Sequence, residues 1–324
     1  MTSRRVRAAG ERQTVPEKGN RNRAGFPLAV VIPHFGDPEL TRACVASIQK
    51  SDLRGTRIYV VDGTLAGDLP FRPHRVVCVD AGGAEGFAAR CSLAAEVAFV
   101  DGAENVMFLN NDAVAAPETP GQLVSFSRET GAGVVAPVVL RLGAPGTVES
   151  AGIDFDRLTG RVTQSHCGRP YAGIRFEYRF VEAVAATCML VTSEAARTSG
   201  LFDPALSFYF EDVDFCLRAR SKGVRIAVLK EARVWHAGAA SFRSARPADR
   251  PYLVTKHHLE VCRRHGRPLP RVLHMAREAH IIALNAAYFA LREGPSPVSL
   301  GAVIRGAKGH FGGCSDSSWT ENKV

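Results

Sequence analysis

Nothing in the 324 residues approaches the ~18–20 consecutive apolar side chains that a bilayer-crossing helix needs, so no spanning segment is predicted. Cys-x-x-Cys is missing as well, and the eight cysteines, at positions 44, 78, 91, 167, 188, 216, 262 and 314, show no zinc-like spacing with histidine. Several fall inside apolar strand or helix patterns, which reads as buried free thiols in a reducing cytoplasm rather than a disulfide framework. No internal repeat is visible, and no long low-complexity segment interrupts the body of the chain. The basic start is not followed by an apolar stretch, so a signal peptide is not expected either.

The charge is unevenly spread. The net charge is +9, and residues 1–25 hold seven basic side chains against Glu11 and Glu17, which is +5 of it. With almost no large apolar residues, this segment is predicted to be a disordered tail, either merely solvated or a tether to lipid or a polyanion. No aromatic side chains interleave with its charges for stacking on bases, which argues against nucleic acid. The rest, with 46% hydrophobic residues over the whole chain, can bury a full core.

From Leu28 onward the pattern is α/β. Strands are predicted at 28–33, 57–61, 75–79, 105–109, 134–139, 181–191 and 225–229, with helices over 37–50 and 86–100 between the early ones. Such alternation implies parallel crossover units and a mainly parallel, doubly wound sheet flanked by helices, whose ligands bind beyond the carboxyl ends of the strands. Polar loops follow those ends: Pro33-His34-Phe35, Asp62-Gly63, Asp80 to Gly86, and Asn110-Asn111-Asp112. Gly143 to Tyr178 reads as an irregular excursion. After Phe242, helices are predicted at 252–265 and 271–292, forming a C-terminal annex (244–324) whose end frays from Gly306. The 271–292 helix either packs on the body or lies on a membrane surface.

Two polar clusters stand out. Glu211, Asp212 and Asp214 put three carboxylates within four residues directly after Phe208-Tyr209-Phe210, where mutual repulsion and an apolar setting raise carboxylate pKa values. The pattern suits proton abstraction or cation binding; it also suits a helix N-terminus, with Asp214 pairing Arg218 one turn on. Asn110-x-Asp112 ends an apolar strand with an amide and a carboxylate on one side of the chain. That suits a hard divalent cation whose other ligands come from a diphosphate, and equally a turn capping the following helix. Asp62, directly before Gly63 at a strand end, reads by itself as a turn residue.

The order of these motifs resembles the family two glycosyltransferases of GT-A fold, especially rhamnosyltransferase-like and galactofuranosyltransferase-like members. The resemblance spans roughly residues 28–243: Val30-Val31-Ile32-Pro33, Val60-Val61-Asp62, Gly82 to Arg90, Asn110-x-Asp112 as a variant of Asp-x-Asp, Gly200-Leu201-Phe202-Asp203, Glu211-Asp212-Val213-Asp214, and Trp235-His236. It implies an inverting transferase of hexosyl or deoxyhexosyl groups that uses a nucleotide diphosphate sugar, a UDP- or dTDP-sugar foremost, with Mg²⁺ or Mn²⁺. The acceptor would be a hydroxyl of a saccharide, a lipid-linked glycan or a secondary metabolite, and the protein cytoplasmic or peripheral at the inner membrane face.

Residue by residue, the resemblance assigns Pro33, His34, Phe35, Asp62, Gly83, Gly86, Arg90, Asn110 and Asn111 to the donor. It assigns Asp112 and His236 to the metal, Asp212 to the general base and Glu211 to acceptor contact. The chain departs from the family at Gly63 and Asp80, where Asn is usual, at Glu85, where Gly is frequent, and at Asn110. Those departures motivate an alternative, a nucleotide-sugar-binding protein that kept the fold and lost catalysis. His166, His257 and His258 have no zinc-like spacing and read as surface residues or acceptor contacts.

Overall fold

The computed structural model describes residues 25–62, 76–238 and 249–312. The basic tail before residue 25, Gly63, the Phe242 boundary and Cys314 lie outside these residues. Strand β1 (Ala29–Pro33) and helix α1 (Pro38–Gln49) open the fold. Proline at the first helical position and the Asp37 carboxylate on the Glu39 N–H at 2.9 Å set where α1 begins. There follow β2 (Arg57–Asp62), β3 (Val76–Asp80), α2 (Gly86–Val100), β4 (Asn105–Leu109), β5 (Ala113–Ala115) and α3 (Thr119–Thr130).

The middle of the chain forms β6 (Val134–Arg141), β7 (Ala144–Ser150), β8 (Ile153–Phe155), β9 (Val162–Gln164), a 3₁₀ turn at Tyr171–Gly173, and β10 (Tyr178–Phe180). Then come β11 (Cys188–Thr192), α4 (Ser193–Ser199), α5 (Glu211–Ser221) and β12 (Ile226–His236). The annex is α6 (Asp249–His265), α7 (Arg271–Glu293) and α8 (Pro297–Gly312).

Ten of these strands form one sheet, with path order β10-β12-β6-β11-β4-β1-β2-β3; β5 pairs with β12 and β7 with β6. The β1–β2, β2–β3, β1–β4 and β6–β12 pairs are parallel, while β11 runs antiparallel between β4 and β6. Alternate side chains feed two core layers. Val31 and Val61 pack with α2 and α5, whereas Val30, Ile32 and Val60 pack with α1 and α3. Buried on both faces, β1 and β4 read as continuous apolar runs, which is why they were legible in the sequence.

Three expectations are corrected. The stretch 143–178 is not irregular: β7 extends the sheet, and β8 pairs with β9. The strand expected at 181–191 is confined to Cys188–Thr192: the Val181 N–H bonds the Ile226 carbonyl of β12, Ala183 bridges to Ile153, and Ala186 and Thr187 hydrogen-bond Asp212 and Asn110 at the polar edge. The frayed end expected from Gly306 is helical as far as Gly312: Gly306 sits where a Cβ would come within 2.4 Å of the Tyr252 carbonyl oxygen, so a glycine lets α8 close onto α6. Among described cysteines, 44, 91, 188, 216 and 262 are buried free thiols, but Cys78 and Cys167 are exposed.

The annex is anchored by charge as well as by packing. Asp214, fully buried in α5, accepts hydrogen bonds from Arg218 Nε at 2.7 Å, His265 Nε2 at 2.9 Å and Arg264 Nη1 at 3.3 Å. Arg264 also holds Asp203 at 2.7 Å, and Arg218 donates to the Leu201 carbonyl. Burial alone would raise the pKa of Asp214; its His265 and Arg218 hydrogen bonds outweigh that and hold it at about 2, against an ordinary 3.8. A depressed folded-state pKa means stability that is complete above pH ~4 and lost as pH falls toward about 2, on the order of 2 kcal/mol. Asp214→Asn should cost about 3 kcal/mol in urea unfolding at neutral pH, since it leaves the partly buried Arg218 and Arg264 without their counter-charge, and should flatten the loss of stability between about pH 4 and 2. An unchanged pH dependence in the variant would show that Asp214 is not the group responsible.

Candidate functional site

The carboxyl ends of β1, β2, β3, β4, β6 and β12 lie on one edge of the sheet because these strands run the same way. At β1, Pro33 is buried and His34 hydrogen-bonds Thr41 Oγ1 through Nδ1 at 2.8 Å. Burial lowers the His34 pKa, so the ring is neutral at pH 7. Asn111, expected on the donor, is instead an internal tie: its amide donates to the Phe35 carbonyl at 2.8 Å and to Thr41 Oγ1 at 2.9 Å. It shapes the His34–Phe35 loop from within. Asp62 stands half-buried at the end of β2. Arg90, buried on α2, lies with its guanidinium 4.6 Å from the Phe35 ring centre and donates to the Ala84 carbonyl.

The glycine turn before α2 divides its work. Gly83 has φ +89° and open space where a Cβ would stand, a backbone free for a ligand to approach. Gly86 has φ +79° and would place a Cβ 2.8 Å from both Cβ and O of Ser207, so its constraint is packing against the loop that leads to the acidic cluster. Glu85 is exposed, turned away from the interior.

Asp112 and His236 meet through strand register. β5 begins at Ala113 and pairs antiparallel with β12 so that His236 faces Ala113, and the Ala237 N–H donates to the Asp112 carbonyl at 3.0 Å. His236 Nε2 stands 3.1 Å from Asp112 Oδ1. Nδ1 of the same ring contacts Glu149 Oε1 at 2.7 Å. Burial disfavours a charged His236, yet the two carboxylates outweigh it and raise its pKa to about 9.

A buried carboxylate and an imidazole nitrogen without a well-aligned hydrogen bond, side by side at a strand-end loop, fit a divalent cation. Among the described residues no group of three or more His, Cys, Asp or Glu is arranged to hold a metal. Glu149 carries no local sequence signal for this role: it lies in β7, and only the β6–β7 pairing brings it to the ring. Asn110 Oδ1, in the same loop, is buried without a hydrogen-bond partner.

The acidic cluster begins α5. The two residues before it, Tyr209 and Phe210, both take left-handed backbone, with φ +65° and +68°, costing on the order of 1–2 kcal/mol each. The annex supports this turn. His257 Nδ1 contacts the Phe208 carbonyl at 2.7 Å, and the His258 ring stacks on Phe210 at 4.7 Å while Nε2 bonds the Gly160 carbonyl. Both histidines are therefore buried supports, not the surface residues or acceptor contacts expected from sequence. His166, partly exposed, adopts a left-handed backbone beside Phe176.

Glu211 is buried, and its Oε2 has no hydrogen-bond partner. Burial, then the adjacent Asp212, push its pKa well above the ordinary glutamate value. Asp212 is partly exposed and accepts from the Ala186 N–H at 3.0 Å and the Val213 N–H at 2.7 Å. Burial raises its pKa too, and those two N–H groups limit the rise. The neighbouring Thr187 carbonyl accepts the Asn110 N–H at 3.0 Å, so one dipeptide, Ala186-Thr187, joins the Asp212 carboxylate to the Asn110–Asp112 loop.

This mixed sheet with one polar edge and a helical annex is a GT-A fold. The sequence matches Glycosyltransferase like family 2 over residues 25–248, and the chain belongs to that family. Uncharacterized proteins of Mycobacterium tuberculosis and Mycobacterium bovis are each 26% identical over 214 residues, covering 65% of this chain and 74% of theirs. Among solved structures, GalNAc-T7 with UDP, GalNAc and Mn²⁺ is similar at TM-score 0.56 and 14% identity, covering 84% of this chain; the chain spans 58% of that protein. The mannosyltransferase PcManGT of Pyrobaculum calidifontis, in complex with GDP-Man and Mn²⁺, is similar at TM-score 0.54 and 15% identity over 92% of each chain. Residues 1–349 of S. aureus TarS are similar at 0.51 and 15%, over 87% of this chain and 81% of theirs.

The two glycines should separate in stability measurements. Gly86→Ala is expected to cost about 3 kcal/mol, from overpacking against Ser207 added to the positive φ, and Gly83→Ala about 1 kcal/mol, from φ alone. Thermal unfolding of both variants checks the order, and equal losses would mean that Ser207 yields.

Proposed function

We propose that the protein is an inverting, metal-dependent glycosyltransferase that moves a sugar from a nucleotide diphosphate sugar to an acceptor hydroxyl. The observation that carries this reading is the Ala186-Thr187 bridge, which sets a partly exposed carboxylate of raised basicity beside the loop that bears Asp112. Asp212 takes the proton of the acceptor hydroxyl as its oxygen bonds to the anomeric carbon. The bond from that carbon to the diphosphate breaks with its electrons on the leaving oxygen, and a single displacement of this kind inverts configuration. Each Asp212 oxygen already accepts one N–H, which fixes the carboxylate and leaves a lone pair for the incoming proton.

Glu211, next to Asp212 at the start of α5, orients the acceptor. His34, Phe35, Asp62 and Asn110 receive the nucleotide sugar along the strand ends, with the Gly83 backbone and Arg90 on the diphosphate side. Asp112 and His236 would hold Mg²⁺ or Mn²⁺, which would supply Lewis-acid compensation for charge on the departing diphosphate. Glu149 keeps the His236 ring turned toward Asp112. The presence of Mn²⁺ with UDP or GDP-Man in structures of the same fold supports this use of the edge. A UDP- or dTDP-sugar of the hexosyl or deoxyhexosyl class is the proposed donor, and the proposed setting is the cytoplasm.

Incubation with a panel of such donors and Mn²⁺ should release nucleotide only when a suitable acceptor is present. Asp212→Asn is expected to lose about 10²–10⁴-fold in kcat with donor binding retained; turnover close to that of the unchanged protein would sink the assignment. Because the ionised form of Asp212 is the base, activity should rise with pH through a pKa above the ordinary 3.8. Asp112→Ala should abolish Mn²⁺ binding followed by electron paramagnetic resonance in the presence of nucleoside diphosphate. Glu149→Gln should weaken it about 10–100-fold. Unaltered Mn²⁺ affinity in both variants would remove the metal from this pair.

A further inference from the structure

We propose that the outward face shared by α7 and α8 docks on an anionic lipid surface. On α7, Val272, Met275, Ala279, Ala283 and Ala290 recur at helical spacing and are all exposed, Val272 to 77%. On α8, Leu300, Ile304 and Phe311 do the same. A groove of about 540 Å³, to which α7 contributes Ala287 and Ala290 and α8 contributes Pro297 and Leu300, joins the two stripes into one apolar surface. Leu291, 88% exposed, stands beside it. Single exposed apolar residues need no explanation, but a continuous apolar surface over two adjacent helices does.

The charges around this face select its partner. Arg271, Arg292, Arg305 and Lys308 are exposed on the same two helices. The only carboxylates of α7 and α8 are Glu278 and Glu293. Glu278 sits 3.0 Å from His274 and 4.0 Å from His310, and Glu293 sits 3.0 Å from Arg250. A second copy of the chain seated on this face would set these cations against another cationic surface, whose two carboxylates are already paired within their own chain. An anionic bilayer offers both an apolar interior for the stripes and counter-charge for the arginines and lysine, the two contributions that together give stable surface binding. Among the described residues no helix is long and apolar enough to cross a membrane, so the contact is with the surface.

Flotation of the full-length chain with equimolar phosphatidylcholine/phosphatidylglycerol vesicles, and with phosphatidylcholine alone, tests the proposal. The chain should partition to the mixed vesicles and only weakly to the neutral ones. Leu291→Asn combined with Leu300→Asn should lower partition about tenfold with unchanged circular dichroism and melting temperature, because both side chains are exposed. Arg292→Gln with Arg305→Gln should lower it about tenfold or more on the mixed vesicles alone. The basic segment before residue 25 can attract anionic lipid independently, so binding that survives the leucine pair overturns the proposal. So does a failure to bind the mixed vesicles, or a dimer in sedimentation equilibrium that the leucine pair dissolves.

Discussion

A charge removed from water must find partners within the protein, and Asp214 meets this requirement with groups from two elements that the rest of the site depends on. Arg218 of its own helix and Arg264 and His265 of α6 all converge on its carboxylate. Arg264 extends the network to Asp203 and Arg218 extends it to Leu201, so the loop approaching α5, the helix itself and the annex are held in one relation. The first turn of α5 carries Glu211 and Asp212. Their position is therefore set from below by a buried ion cluster and from outside by His257 and His258, which support the left-handed Tyr209-Phe210 backbone. Strain at that turn persists because surrounding contacts over-determine it.

The second constraint is sheet direction. Parallel strands deliver their carboxyl ends to one edge, and the antiparallel insertion of β11 returns the chain there, so that Ala186 and Thr187 can bond Asp212 and Asn110. The same logic accounts for the Asp112–His236 pair. More than a hundred residues apart in sequence, they become neighbours because β5 starts directly after Asp112 and pairs with the last residues of β12. The three carboxylates of the acidic run then have separate environments: Glu211 buried and lacking a partner on one oxygen, Asp212 partly exposed and held by two N–H groups, Asp214 buried and surrounded by cations. The tendencies of their pKa values diverge accordingly, upward for the first two and downward for the third.

Much of the architecture was legible from residue order. The apolar runs of β1, β2 and β4 match their sequence expectation because burial on both sheet faces leaves a continuous apolar signature, and β3 and α2 fall where their β-branched run and helical spacing put them. The stretch from Gly143 to Tyr178 was not legible, since short paired strands such as β8 and β9 alternate too briefly to stand out among glycines. At the polar edge, residue type and spacing marked Asp112 and Asp212, and the family resemblance added His236. They gave no sign that Asn111 would be an internal tie, or that Gly86 answers to Ser207.

Local chemistry written along the chain determined the α/β class, the polar strand ends and the acidic run, because periodicity and charge are properties of neighbouring residues. Only the tertiary structure decided the partners: Glu149 on His236, the annex histidines under the acidic turn, and the Ala186-Thr187 bridge between the two halves of the edge. Each of these depends on strand register or helix docking over tens of residues. Such contacts are specified by how the whole core closes, and no local pattern encodes them.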